Sequence, residues 1–396
     1  MISLTTAESA LKDAYLNAVC NQLNTNANPL LAKIKQSSAD VYGKNIIKMA
    51  PIGLNGGVGA GTETGSLPNA KSNRYAQFKT TLKNLYGQIA ISDKAIRASQ
   101  SSSGAFVDLL NAEMEGLLTA SKFNLGRMLY GDGTGALSTV TAHTSGLKEI
   151  AFASVKNFAE GMCIDIYNAS TLVSSNLRIM SVDRANSKIT VDTTPEDLSA
   201  GYTAYVQGSK DNEITGLGAI FGSNTSLYGL TRSENGWLNP YSSSAEQEIS
   251  DDLLQTAVDY LTENSGSNID IITCGAGARR AYMQYLSCYR RNIDVMDLAG
   301  GYKAISFNGI PVVSDRFVED GTVYMLDSSK FTLHQLCDWE WIEGENGNIL
   351  HQQAGYPTYT ATLVKYADLI CDQPNGQARF TNIKSTVTNP FVASSK

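Results

Sequence analysis

The chain has 396 residues, of which 42% are hydrophobic and 17% charged. That composition supports packed cores and excludes wholesale disorder. With 31 Lys and Arg against 38 Asp and Glu, the net charge is −7, so no basic stripe follows a phosphate backbone. At roughly 150 residues per domain, two or three domains are expected.

The opening Met1–Val19 has neither a basic n-region nor an unbroken apolar run, and no run approaches the ~18 apolar residues of a membrane span. The chain therefore reads as soluble, with no membrane partner. Cys20, Cys163, Cys274, Cys288, Cys337 and Cys371 are widely spaced without a C-x-x-C pair, and read as reduced, buried thiols. His143, His334 and His351 show no i, i+4 pairing, which argues against a His/Cys metal site and leaves a carboxylate-only ion site open. His334, within the apolar stretch Phe331–Cys337, reads as a strand residue with a satisfied hydrogen bond.

In chain order, Thr5 and Glu8 form a capping box for a helix with Leu11, Tyr15, Val19 and Leu23 on one face. A short helix is expected at Leu30–Gln36. Lys44–Ile52 and Arg74–Leu85 read as two strands joined by a glycine-dense tip, Gly53–Gly65, with a return at Tyr86–Ile91. Arms of about fifteen residues would reach roughly 50 Å. Because a lone hairpin is marginal in water, and this one has few large apolar residues, it is expected to lie on a neighbouring molecule. Gly104–Tyr130 is the strongest helix, capped by Ser101–Ser103 and ended by Gly131–Gly135; at 1.5 Å per residue it forms a spine ~40 Å long.

From Gly146 to Gly208 the period changes to strands: Glu149–Ala153, Met162–Tyr167, Asn176–Val182, Lys188–Asp192 and Thr203–Gln207, with a turn at Asp183–Ser187. Five short strands suggest a small β-barrel or sandwich. Beyond a polar connector, an α/β alternation begins with a helix capped at Ser250. It continues through Ile269–Thr273, Ala276–Tyr289, Ala304–Phe307, Ile310–Val313, Thr322–Leu326 and Phe331–Leu336. Tyr356–Cys371 and Arg379–Ile383 are expected to pair as a hairpin.

Motifs for chemistry are weak. Gly57–Gly61 fails G-x-G-x-x-G, while Gly131-x-Gly133-x-x-Ala136 fits its relaxed form but follows a helix, the wrong context for a nucleotide site. No phosphate loop and no nucleophile elbow occur. Glu340, Glu343 and Glu345 cluster around Trp339 and Trp341, and read as a solvated strand and turn. Arg279, Arg280, Arg290 and Arg291 form the densest basic group, placed where carboxylates of another subunit could meet them. No catalytic residue, cofactor or metal is assigned.

Several stretches carry a family resemblance. Tyr86-Gly-Gln-Ile-Ala-Ile-Ser-Asp-Lys-Ala-Ile is similar to a hairpin's return to the spine, and Phe307-Asn-Gly-Ile-Pro-Val-Val-Ser-Asp with Val323-Tyr-Met-Leu-Asp to α/β-domain strands. Tyr356-Pro-Thr-Tyr-Thr-Ala-Thr-Leu-Val-Lys-Tyr-Ala-Asp-Leu is similar to a closing strand. Together with the order of parts, they resemble the major capsid protein of tailed bacteriophages, whose fold is shared with encapsulins and herpesvirus capsid floors. The likeness covers almost the whole chain except Gly146–Gly208.

The resemblance implies an α+β tailed-phage major capsid fold: N-terminal arm 1–41, extended loop 42–91, peripheral domain with spine 92–140 and 346–396, β-rich insertion domain 141–212, connector 213–249 and axial α/β domain 250–345. It implies self-assembly into the hexamers and pentamers of an icosahedral head that encloses DNA without sequence-specific binding, or alternatively an encapsulin-like compartment. Scaffolding, portal and possible decoration proteins are the further expected partners. With the arm starting near Met1, either a separate scaffolding protein or prior maturation cleavage is expected, and the initiating Met favours the former. The virion, assembled in the host bacterial cytoplasm, is the expected location. Inter-subunit contacts are expected at Gly53, Gly56, Gly57, Gly59, Gly61, Gly65 and Arg74, and at Arg290, Arg291, Asp294 and Asp297 in a loop, Tyr289–Gly301, near the capsomer axis. Some relatives crosslink a hairpin Lys to an Asn. Lys71 lies in the hairpin without a matching trio, so that chemistry is not carried over.

Overall fold

The computed structural model describes residues 28–53, 55–94, 103–289, 295–297, 303–344 and 347–386. The expected first helix, Thr5–Leu23, lies outside them.

A helix of 28 residues, Ser103–Tyr130, dominates the first half. It buries Met114, Leu118, Leu125, Met128 and Leu129, the stripe that 3.6-residue periodicity places on one side. That side faces a five-stranded sheet, with Lys35–Ser37 parallel to Phe331–Trp341 and the latter antiparallel to Thr358–Cys371. Thr358–Cys371 also pairs with Lys83–Ser92 and His351–Gln352. Lys83–Ser92 alternates strictly, burying Leu85, Gly87, Ile89 and Ile91. At Gly87 a Cβ would sit 2.9 Å from Leu117 Cδ1, so glycine permits the close approach of sheet and helix.

Five residues after Gly131 the chain enters a closed six-stranded barrel, ordered Lys188–Val191, Glu149–Phe152, Ala136–His143, Thr203–Val206, Cys163–Asn168, Thr171–Asp183. Period-two pairs such as Ile150/Phe152, Ile164/Ile166, Leu177/Ile179 and Ile189/Val191 fill its interior. Ala136–His143 is the strand the sequence pattern did not supply; its Val140 is buried but its outer residues are short and mixed. The Asp183–Ser187 turn forms as expected, Asp183 accepting from the N–H groups of Ala185 and Asn186 at 3.0 and 3.1 Å.

A seven-stranded mixed sheet runs Tyr241–Ser243, Ala378–Phe380, Val323–Leu326, Ile271–Cys274, Ile310–Ser314, Lys303–Phe307, Val295–Asp297. Helices Asp251–Ser265 and Ala276–Tyr289 share its core through Leu254, Leu261, Ala281 and Tyr282. Ser250 caps the first of these, its Oγ accepting from Leu253 N–H at 3.1 Å, and Gly266 closes it at φ 63°.

Three expectations are corrected here. Leu30–Gln36 is a turn followed by strand Lys35–Ser37, because Leu30, Leu31 and Ile34 are all drawn into the main core and Asn28 Oδ1 caps the turn at Leu30 N–H, 2.7 Å. Phe331–Leu336 belongs to the five-stranded sheet rather than to the α/β unit. Thr358–Cys371 and Ala378–Phe380 do not pair with each other: the turn Pro374–Gly376 sends them into different sheets.

Candidate functional site

The hairpin is the feature that departs most from a self-contained chain. Asn45–Ile52 and Arg74–Thr81 pair antiparallel from Asn45↔Thr81 to Ile52↔Arg74. Each arm has 8 residues, about 27 Å, not fifteen. The expected return, Tyr86–Ile91, is part of the strand built into the five-stranded sheet.

Antiparallel pairing puts opposed residues on one face. Ile46, Lys48, Ala50, Ala76, Phe78 and Thr80 share the inward face, and this base is fastened to its own chain. Phe78 is fully buried, 5.2 Å from the Tyr228 ring and 5.6 Å from that of Trp237. Lys48 Nζ meets Asp372 Oδ2 at 2.7 Å, and Lys79 N–H donates to Tyr228 O at 3.0 Å. The hairpin thus has apolar side chains to bury on its own molecule, which the count of large residues alone concealed.

The outward face and the tip behave differently. Met49 is 57% and Tyr75 53% exposed; in the tip, Val58 is 87% and Leu67 89% exposed. Tyr42, paired with Asn45 at the base of the hairpin, is also open. The exposed apolar side chains of the outer face and tip set them apart from the buried base. Among the described residues between Ile52 and Arg74 no strand forms.

Of the expected site residues, Gly53 turns the chain at φ 74°, a conformation L side chains rarely adopt. Gly57 lies where a Cβ would meet Lys71 N at 3.1 Å, and Gly59 where it would meet Pro68 at 3.2 Å. The two sides of the tip therefore close on one another through glycine. Gly56, Gly61 and Gly65 lie exposed along the same tip, and Arg74 is exposed at the start of the return strand. Arg290, Arg291 and Asp294 lie outside the described residues. Asp297 ends edge strand Val295–Asp297, opposite Lys303.

Sequence reasoning missed the polar groups beneath the hairpin. Asp368, on the central strand, is fully buried. Its Oδ2 accepts from Thr80 Oγ1 at 2.8 Å and Thr215 Oγ1 at 3.1 Å; its Oδ1 accepts from the N–H groups of Thr215 at 2.7 Å and Leu369 at 3.0 Å. Burial pushes this carboxyl above its ordinary value, and those four donors oppose the push. His334, paired with Asp368 across the strands, presents Nδ1 to Ala39 O at 2.9 Å. An Asp in an apolar run was the one available signal, and it named no partner.

Among the described residues no group of three or more His, Cys, Asp and Glu side chains could hold a metal ion, and no helix is long and apolar enough to cross a membrane. Two clefts, 490 Å³ under Met49 and Trp237 and 390 Å³ beside Asn124, are open to solvent.

No family model and no curated protein matches the chain. Solved structures do. The chain is similar to one in the cyanophage A-1(L) capsid asymmetric unit, at 12% identity over 92% of both chains with a TM-score of 0.53. It is also similar, more distantly, to the capsid of an empty GTA particle, at 10% identity, 90% of both chains and a TM-score of 0.47. A third is the SrpI encapsulin of Synechococcus elongatus PCC 7942, at 10% identity over 89% of this chain and 86% of that one, TM-score 0.43. The cyanophage match runs over nearly the whole of both chains, and the fold is the mixed α+β fold of phage capsid proteins.

Proposed function

We propose that this chain is a phage major capsid protein, which assembles with copies of itself into the hexamers and pentamers of an icosahedral head around double-stranded DNA. The carrying observation is the hairpin: its base is fastened to its own chain, while its tip and outer face present Val58, Leu67, Met49 and Tyr75 to solvent. Apolar side chains on a projecting arm are covered when a second copy lies beneath it, as in the large interfaces of obligate assemblies. The fold shared with a cyanophage capsid chain supports the same reading.

In this reading the long helix and five-stranded sheet form the peripheral domain, the barrel an insertion domain, and the seven-stranded sheet with its two helices the axial domain. Asp297 then lies near the capsomer axis. The negative net charge keeps the wall from adhering to DNA. The protein acts in the virion after assembly in the bacterial cytoplasm, with scaffolding and portal proteins as partners, and carries out no catalysis.

Electron microscopy and size-exclusion chromatography of the purified chain test this. Closed shells or ring-shaped capsomers are expected, and V58S/L67S is expected to stop closure while leaving the subunit folded. A wild-type chain that remains a small soluble oligomer at high concentration overturns the proposal. Shells that enclose a co-expressed protein and exclude DNA would indicate a compartment instead.

A further inference from the structure

The hydroxyls of Thr80 and Thr215 converge on one atom, Oδ2 of Asp368, at 2.8 and 3.1 Å. Thr80 belongs to the hairpin base. Thr215 lies on the segment leaving the barrel, two residues beyond Glu213, which pairs with Arg127 near the end of the long helix. The same segment is tied to the hairpin's exit by Lys83 Nζ, which donates to Asp211 O at 2.8 Å. Oδ1 is held by backbone N–H groups of Thr215 and Leu369.

We propose that Asp368 is a coupling post, through which the hairpin base and the barrel exit cannot loosen independently. The reason is the price of leaving a buried carboxylate short of donors, which exceeds the value of the lost hydrogen bond itself. Donors from two elements stabilise the same oxygen. When one element withdraws, water reaches the carboxylate and takes the vacated donor position, so the penalty that had kept the second hydroxyl in place falls. Loosening of one element thereby weakens the hold on the other. By linkage the effect is reciprocal. The coupling is a property of the single chain, and it stands or falls independently of shell assembly.

Hydrogen-exchange mass spectrometry on the full-length chain tests it, with all variants compared in the same oligomeric form. Thr80→Val keeps shape and removes one hydroxyl. It is expected to speed exchange in 208–216 as well as in 45–52 and 74–81, each by roughly tenfold. Thr215→Val is expected to do the same in reverse, opening the hairpin base. Ile189→Val in the barrel core serves as a control that destabilises without touching the post, and should leave the hairpin unchanged. Asp368→Asn, whose amide supplies one acceptor oxygen instead of two, should loosen both elements together. If each threonine variant opens only its own element, or if the barrel control opens the hairpin equally, the proposal is overturned.

Discussion

Arg127 and Glu213 form a two-pronged ion pair, Nη1 to Oε2 at 2.9 Å and Nη2 to Oε1, with the two side chains 5% and 2% exposed. The pair joins the last turn of the long helix to the segment leaving the barrel, two elements 86 residues apart. Removing one partner strands a buried charge. Glu213→Gln or Arg127→Met should each lower unfolding free energy by about 3–5 kcal/mol, whereas the double replacement R127M/E213L should recover most of that loss. Denaturant titration of the dissociated subunit reads the difference; single and double variants of equal stability would refute it.

Phe78 anchors the hairpin through Tyr228 and Trp237. Phe78→Ala should destabilise the fold by about 3–5 kcal/mol and admit proteases to strands Asn45–Ile52 and Arg74–Thr81. Within residues 45–81 of the dissociated parent subunit, cleavage should be confined to the exposed tip, 55–73. Mapping the cut sites checks both statements, and parent and variant cleaved at the same places would contradict them.

His334 should impose an acid-side loss of stability. Burial lowers its basicity below the ordinary 6.5, and neighbouring Lys48 acts the same way, against the Ala39 carbonyl, Asp40 and Asp372. The folded chain therefore prefers the neutral ring, while the unfolded chain takes up a proton as pH falls through about 6.5. Stability from this group is complete above that pH and declines below it. Asp315 and Asp368, whose carboxyls burial raises, act in the opposite direction and are common to both proteins compared. The gap in melting temperature between parent and His334→Gln should narrow from pH 7.5 to 5.5. A constant gap would reject the assignment.

Two glycines should respond with opposite signs. Gly216 lies where a Cβ would come within 3.0 Å of the carbonyl oxygens of Met128, Leu129 and Gly131, backbone that cannot step aside. Gly216→Ala should cost about 1–3 kcal/mol. Gly116, on the exposed side of the long helix, has nothing within 4 Å. Gly116→Ala should stabilise by about 0.5–1 kcal/mol. Thermal melts of the pair decide, and like signs would count against the packing described.

The long helix, five of the barrel's six strands and the Ser250 cap were legible in the residues, because each rests on spacing within one segment. The hairpin's existence was legible for the same reason, and its tip was marked by glycine density. Its anchorage was not. Phe78 is one of two aromatics in a polar strand, with nothing to distinguish it from Tyr75 until Tyr228 and Trp237 are placed against it.

What the sequence determined by itself was therefore local: period, cap, turn and the change from helical to strand pattern. Which sheet each apolar run entered was settled only in three dimensions. Phe331–Trp341 and Val323–Leu326 read alike in sequence yet lie in separate sheets, since a buried strand presents the same residues to any neighbour. Asp368 makes the point at a single atom. Its hydroxyl donor from the hairpin lies 288 residues away, and no local pattern encodes a partner at that distance; only closing the chain around a costly buried charge selects it.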